Sequence, residues 1–266
     1  MKRKLYLLIL WAAAALPTWA QETFPLNGPK DERAGAYAFT NATIVVDEQT
    51  TLEGATLLIR DGRIENAGKG IAVPKGYTVM DLSGKYLYPG LIDLYTNYGQ
   101  PEVKVERGGG FGGAREVLEP TTEGPYNANE AIKSYYDGAS EFKPDAKSAD
   151  EWRKLGFGAI LSYRPDGVAR GTAIVATPGE DRANEVILRD RAAALFSFNK
   201  GTSKMNYPVS AMGYISLLRQ TYLDANWYDQ YKNSRPFTDK GLEAMIANRN
   251  LPQIFEAANW LSLTRA

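Results

Sequence analysis

The sequence predicts an α/β protein in which a small β-rich unit precedes a region of alternating helices and strands. Residues 37–93 are dense in β-branched and turn residues, which mark short strands. From residue 148 onward, apolar runs of strand length alternate with segments of helical periodicity, as in a parallel sheet or barrel. The 266 residues, 44% of them hydrophobic, suit one large domain or one and a half smaller ones.

The β-rich unit is expected to contain a β-branched strand at 42–46 and two hairpins. Strands at 55–60 and 63–67 flank Asp61-Gly62, a strong two-residue hairpin signal. A second and weaker hairpin is predicted around Ser83-Gly84, between strands at 78–82 and 85–88. Together these features indicate a small antiparallel sheet.

The next region begins with residues 91–95, a short apolar run typical of a fully buried strand. The segment 100–147 is rich in glycine and proline and predicts a long, irregular insertion. Its glycine run at 107–113 resembles a phosphate-binding loop, but neither a Lys-Ser/Thr pair nor a clear helix follows it. A flexible surface loop is therefore the favoured interpretation.

Alternating elements follow this insertion. Ser148, with Glu151 three residues later, predicts the start of a helix that ends at Gly156. Strands are predicted at 157–163, 171–177 and 251–257, and helices at 208–231, 241–248 and 260–266. The order indicates strands joined by helical crossovers.

The first twenty residues have the pattern of a secretory signal peptide. A basic start at Lys2, Arg3 and Lys4 precedes an apolar run at 5–16, and small residues near Ala20 form a cleavage site. An uncleaved anchor is the alternative. We therefore expect residues 1–20 to be a signal peptide and 21–36 an N-terminal extension, with the mature protein exported to the periplasm or secreted and free of the membrane.

The composition excludes several kinds of chemistry. The chain has no histidine and no cysteine, so serine-histidine catalysis, cysteine nucleophiles, disulfides and histidine-ligated zinc are impossible within it. The net charge is zero, which argues against nucleic acid as a partner. Catalysis by carboxylate, lysine, tyrosine or serine side chains is still possible.

Four sequence runs, taken in register, resemble the amidohydrolase superfamily, especially its imidazolonepropionase-like branch. They lie at 41–45, 58–64 and 81–88, and the last is Pro89-Gly90-Leu91-Ile92-Asp93. The good match covers about a fifth of the chain. The resemblance implies a small composite β-sandwich domain at 37–88 and the first part of a (β/α)8 TIM-like barrel at 89–266, with the insertion at 100–147.

The resemblance also implies an active site at the carboxyl ends of the barrel strands, holding a divalent metal such as zinc. The two metal-binding histidines of the family fall at Tyr95 and Asn97, close to Asp93, and a third falls at Glu256. Tyrosine and a neutral amide are poor zinc ligands, so we expect no metal and no other cofactor in this chain. A hydrogen-bonded polar cluster of Tyr95, Asn97 and Glu256 is the favoured interpretation, and Arg170 is a weaker candidate for binding a carboxylate substrate.

The barrel is expected to be incomplete. A βα unit takes about 30 residues, so only about half of the eight units fit between Leu91 and Ala266. This suggests the N-terminal part of a long exported bacterial member, structural or regulatory within a larger hydrolase of carbon-nitrogen bonds. Its expected partner is the missing C-terminal part or another copy. The alternative is a non-catalytic exported binding module that uses the pocket around Tyr95, Asn97 and Glu256.

Overall fold

A computed structural model describes residues 35–105, 116–231, 234 and 237–266. The chain divides into two compact units, Met1–Tyr88 and Pro89–Ala266. The predicted signal peptide, residues 21–34 of the predicted extension and the glycine run at 107–113 lie outside the described residues. Within the described parts of the chain, no helix combines the length and apolar character that crossing a bilayer requires.

The first unit is a five-stranded mixed sheet. Its strands are β1 (Ala36–Val45), β2 (Thr51–Arg60), β3 (Arg63–Gly68), β4 (Tyr77–Asp81) and β5 (Tyr86–Leu87). The order is β3-β2-β1-β4, and β5 also pairs with β1. The first predicted hairpin is confirmed: β2 and β3 pair antiparallel, and Asp61 and Gly62 have φ of 50° and 72°, as a type I′ turn requires.

The second predicted hairpin is wrong. Strands β4 and β5 do not pair with each other; both run parallel to β1, one after the other along the same edge. The carboxylate of Asp81 accepts hydrogen bonds from the side chain of Asn41 in β1 (3.0 Å) and from the hydroxyl of Ser83 (2.8 Å). These bonds tie the turn to β1, so the chain continues along that strand instead of folding back.

The second unit contains the larger sheet, whose order is β10-β9-β8-β7-β6. Its strands are β6 (Leu91–Thr96), β7 (Phe157–Ser162), β8 (Ala169–Ala176), β9 (Ile187–Ser197) and β10 (Gln253–Glu256). The helices are α1 (Gly138–Glu141), α2 (Ala146–Lys154), α3 (Ala183–Val186), α4 (Ala211–Gln230), α5 (Lys240–Asn248) and α6 (Trp260–Leu263). The result is a curled half-barrel, which confirms the predicted fold class.

The larger sheet is not wholly parallel. Strands β6 and β7 are parallel, as are β9 and β10, but β8 runs antiparallel to both of its neighbours. The link from β7 to β8 spans only residues 163–168, and a parallel crossover needs a dozen residues or more. The chain must therefore reverse. Strand β9, which the sequence analysis did not identify, restores the direction of β7.

Strand β6 forms where expected, but it is not buried. Leu91, Ile92 and Leu94 are between 55% and 66% exposed in this chain. The strand lies at the edge of the sheet and pairs with β7 on one side, so its apolar side chains lack cover among the described residues. An apolar run identifies a strand, but its burial depends on neighbours that the run does not encode.

The helices also differ in detail from their predicted form. Asp145, not Ser148, caps α2: its carboxylate accepts a hydrogen bond from the backbone N–H of Ser148 (2.8 Å). On α4, within the helix predicted at 208–231, Leu218, Ala225 and Tyr228 are buried, whereas Met212 near its start is exposed. The insertion is not all surface loop, because Ile132 belongs to the core between α4, α5 and the sheet.

Candidate functional site

Four side chains meet at the edge of the larger sheet where β6, β7 and β10 end and β8 begins. We call Tyr95, Tyr163, Arg170 and Glu256 the carboxyl-edge cluster. The rings of Tyr95 and Tyr163 lie 6.0 Å apart in an edge-to-face arrangement. The guanidinium carbon of Arg170 lies 5.9 Å from the ring centre of Tyr163. The cluster therefore contains two of the three positions that the resemblance assigns to metal ligands.

The ion pair between Arg170 and Glu256 dominates this cluster. Nη1 of Arg170 donates to Oε2 of Glu256, and its Nε donates to the backbone carbonyl of Gly167 (3.1 Å). The side chain of Arg170 is only 3% exposed, while that of Glu256 is 33% exposed. A guanidinium so deeply buried requires an anionic partner, and Glu256 supplies it.

The hydroxyl of Tyr163 is unsuited to act as a base. Burial raises its pKa above the ordinary tyrosine value, and the nearby negative charge of Glu256 raises it further. The carboxylate of Asp93 accepts a hydrogen bond from the backbone N–H of Tyr95 (2.9 Å), so it is engaged within its own strand. Tyr163 thus acts as a neutral ring that separates Tyr95 from Arg170.

Asn97 lies apart from the carboxyl-edge cluster. It lines a recess of about 440 Å³ together with Tyr98, Asp145 and Trp152. The structure therefore brings Tyr95 and Glu256 together through Tyr163 and Arg170, and it places Asn97 beside the start of α2.

The residues of this edge do not fit a catalytic zinc ion. Zinc in proteins is bound by three or four His, Cys, Asp or Glu side chains in tetrahedral geometry. The described residues contain no group of three or more such side chains that could hold a metal. The carboxylate of Glu256 is already neutralised by Arg170, whose own positive charge repels a divalent cation.

A second charged cluster is formed by residues of the links that follow β6, β7 and β9. We call Lys133, Asp166, Thr202 and Arg164 the buried ion-pair cluster. Nζ of Lys133 donates to Asp166 Oδ2 (2.7 Å) and to the hydroxyl of Thr202. Asp166, which is fully buried, also accepts from the N–H (2.7 Å) and the hydroxyl (2.9 Å) of Thr202. Nη2 of Arg164 lies 3.7 Å from the same carboxylate.

These contacts keep Asp166 ionised. Burial by itself would raise the pKa of its carboxyl group, but the hydrogen bonds from Lys133 and Thr202 and the charge of Lys133 outweigh that effect. The pKa consequently lies below the ordinary aspartate value. Gly201 makes the close approach possible: it has φ of +62°, and a Cβ there would collide with Asp166.

The buried ion-pair cluster was not predicted from the sequence, and Lys133, Arg164 and Thr202 were missed. The partners of Asp166 lie 33 and 36 residues away along the chain, and Lys133 sits within a segment interpreted as an irregular insertion. One local signal was available. Asp166-Gly167 and Lys200-Gly201-Thr202 both combine a charged residue with a glycine in a loop that follows a strand.

The architecture defines a class: an α/β half-barrel whose candidate site lies at the carboxyl ends of its parallel strands. No family model matches the chain. An amidohydrolase from Thermotoga maritima has the same fold, with a TM-score of 0.63 and 21% identity over 86% of this chain and 60% of that one.

Part of the sequence is also similar to known enzymes. The dihydroorotase of Geobacter sulfurreducens is 33% identical over 86 residues, which are 30% of this chain and 20% of the relative. That of Geotalea daltonii is 31% identical over 102 residues, covering 35% and 23% respectively. Each match thus spans about a fifth of the relative's length. The chain is thus similar in fold to an amidohydrolase and in part of its sequence to dihydroorotases, in keeping with the resemblance.

Proposed function

We propose that this chain is a structural or regulatory segment of a larger exported amidohydrolase and does not itself hydrolyse carbon-nitrogen bonds. The ion pair between Arg170 and Glu256 carries the proposal. It places a buried cation at the edge where the family's metal is expected, and it occupies the one carboxylate that stands at a metal-ligand position. Without a metal to lower the pKa of water, the edge lacks the means to generate a hydroxide nucleophile at neutral pH.

The partner we propose is a further set of barrel strands, from the remainder of a longer chain or from another copy. Strand β6 and strand β10 are the two edges of the described sheet, and exposed apolar side chains line β6. An open edge of this kind is a template for pairing with another strand. In this arrangement the segment contributes packing, and the reacting groups come from its partner.

Metal content is the direct test. The purified chain is dialysed, exposed to zinc, dialysed again and analysed for bound metal, with Glu256→Gln as the matched variant. We expect well under one zinc per chain in both proteins, and no turnover of a cyclic amide such as dihydroorotate. One zinc per chain that is lost in Glu256→Gln would refute the proposal, because it would make Glu256 a ligand.

The reading frame beyond Ala266 tests the second half of the proposal. A downstream Pro-Gly-x-Ile-Asp run followed by His-x-His would identify the catalytic half. The longer protein is then expected to hydrolyse an amide and to lose that activity on replacement of those histidines. Turnover that instead depends on Tyr95 would assign the chemistry to this segment.

The binding-module alternative requires Tyr95, Asn97 and Glu256 to face one pocket. Asn97 lines the recess beside Trp152, whereas Glu256 is engaged by Arg170. This separation favours the structural role. Ligand binding that is weakened equally by Tyr95→Phe and Asn97→Ala would restore the alternative.

A further inference from the structure

A cavity of about 210 Å³ lies beside the buried ion-pair cluster and is lined in part by Tyr126, Tyr135, Tyr136, Lys133 and Thr202. We propose that it binds a neutral ligand rich in hydroxyl groups, of the size of a monosaccharide. The proposal is independent of metal binding and of the proposed role of the carboxyl edge.

The electrostatics of the wall favour a neutral ligand. Lys133 is paired with Asp166 at 2.7 Å, and the side chains of both are at least nine-tenths buried. Glu130, also in the wall, accepts hydrogen bonds from the backbone N–H of Thr121 (2.5 Å) and of Thr122 (3.0 Å). Lys204, also in the wall, has the charge opposite to that of Glu130, so the formal charges of the wall and Asp166 sum to zero, and a charged ligand would lose hydration without gaining a full counter-charge.

Three tyrosines give the cavity an aromatic side. The rings of Tyr126 and Tyr135 are 4.6 Å apart, and those of Tyr135 and Tyr136 are 5.0 Å apart. The guanidinium of Arg164 lies 4.1 Å from the ring centre of Tyr136 and helps to fix its orientation. The faces of such rings carry partial negative charge, which attracts the weakly positive C–H groups of a sugar ring.

Hydroxyl groups of a ligand would find both donors and acceptors here. The described hydrogen bonds of the Lys133 ammonium go to Asp166 and Thr202, which leaves one of its three protons for an acceptor in the cavity. The hydroxyls of Thr121 and Thr122 donate to Glu130 and can accept from a ligand, while those of the lining tyrosines can donate or accept. This combination suits a ligand whose every substituent both donates and accepts.

The volume limits the size of the ligand. The cavity measures about 210 Å³. That is smaller than a pocket for a drug-sized molecule, which measures about 300 Å³ or more. A single sugar ring fits this limit, whereas an oligosaccharide could place only one residue inside.

The test is a binding titration of the whole chain with D-glucose, D-galactose and N-acetyl-D-glucosamine, with D-glucuronate as the charged counterpart. Saturation-transfer NMR detects the contact, and calorimetry measures Kd. We expect at least one neutral sugar to bind with Kd of about 1 mM or tighter, and glucuronate to bind more weakly.

Variants assign the binding to the cavity. Tyr135→Ala is expected to weaken it at least about ten-fold, and Tyr135→Phe, which keeps the ring, is expected to weaken it less. Tyr222→Ala is the matched control, because this tyrosine is also partly exposed but lies on α4 outside the described cavity wall. Circular dichroism confirms that each variant is folded.

Three results would overturn the proposal. One is failure of all three neutral sugars to bind to folded protein. The second is tighter binding of glucuronate than of every neutral sugar, which would make the site an anion site. The third is equal loss of binding in Tyr135→Ala and Tyr222→Ala, which would locate the ligand elsewhere.

Discussion

Replacement of Lys133 by methionine should expose the dependence of the second unit on its buried ion pair. Methionine retains most of the apolar stem of the lysine but removes the ammonium group 2.7 Å from the fully buried Asp166. Breaking a buried pair on one side costs about 3–5 kcal/mol. Asp166 keeps both hydrogen bonds from Thr202, so we expect the lower end of that range, about 3 kcal/mol.

The pH dependence of this loss has a definite sign. In the wild-type chain the pKa of Asp166 is depressed, so its contribution to stability is present at neutral pH and is lost as the pH falls through the folded pKa. In Lys133→Met, burial is opposed only by the hydrogen bonds from Thr202 and the nearby charge of Arg164, so the pKa of Asp166 should rise. With a less depressed pKa the variant loses less stability than the wild-type chain as the pH falls, so its deficit should shrink from pH 7 toward about 4.

Urea unfolding, followed by aromatic fluorescence at several pH values, measures both effects. The double variant Lys133→Met with Asp166→Asn removes both charges and should recover about 1 kcal/mol or more of the single variant's loss. A deficit below about 1 kcal/mol at pH 7, or one that is independent of pH, would show that the pair is not buried in the manner described.

Three other predictions follow. Intact mass of exported protein should show cleavage after Ala20 and a chain that begins at Gln21; an unprocessed start in an exporting host would contradict the signal peptide. Light scattering after size exclusion should find the isolated chain associated or aggregated, because β6 exposes apolar side chains at a sheet edge; a cooperative monomer would refute this. Gly201→Ala should lose at least about 2 kcal/mol of stability, since its Cβ would strike Asp166. Gly156→Ala, with positive φ but open space around the Cβ, is the control and should lose less.

Local signals in the sequence predicted elements better than the pairing between them. The Asp61-Gly62 hairpin was predictable because two residues fix its turn and thereby its register. The turn at Ser83-Gly84 has similar residues, yet the chain there continues along β1, since Asn41, forty residues earlier, holds Asp81. A contact between residues so far apart in the chain cannot be predicted from the local sequence pattern.

The candidate site shows the same limit of prediction from local sequence patterns. The resemblance assigned Tyr95 and Glu256 to the family's ligand positions, and the run at 89–93 precedes the first of them. Tyr163, which links them, stood only as the last residue of a predicted strand, and Lys133 lay in a segment without periodicity. Both acquire their roles from the sheet order, which brings together strands that are distant in the chain.

The reversed strand β8 explains why a cation stands at this edge. A barrel of parallel strands presents only carboxyl ends here, but β8 runs the other way and places its second residue, Arg170, at the same edge. Ala169 lies opposite Phe196, and Glu256 lies opposite Ser197, so Arg170 stands on the other side of β9 from Glu256 and about two residues further from the strand end. Two strand spacings separate their backbones by roughly 10 Å, a gap that two long side chains can bridge. The short link between β7 and β8 forces the reversal, and the reversal places the guanidinium of Arg170 at this edge of the sheet. The ion pair at the edge is therefore a consequence of topology.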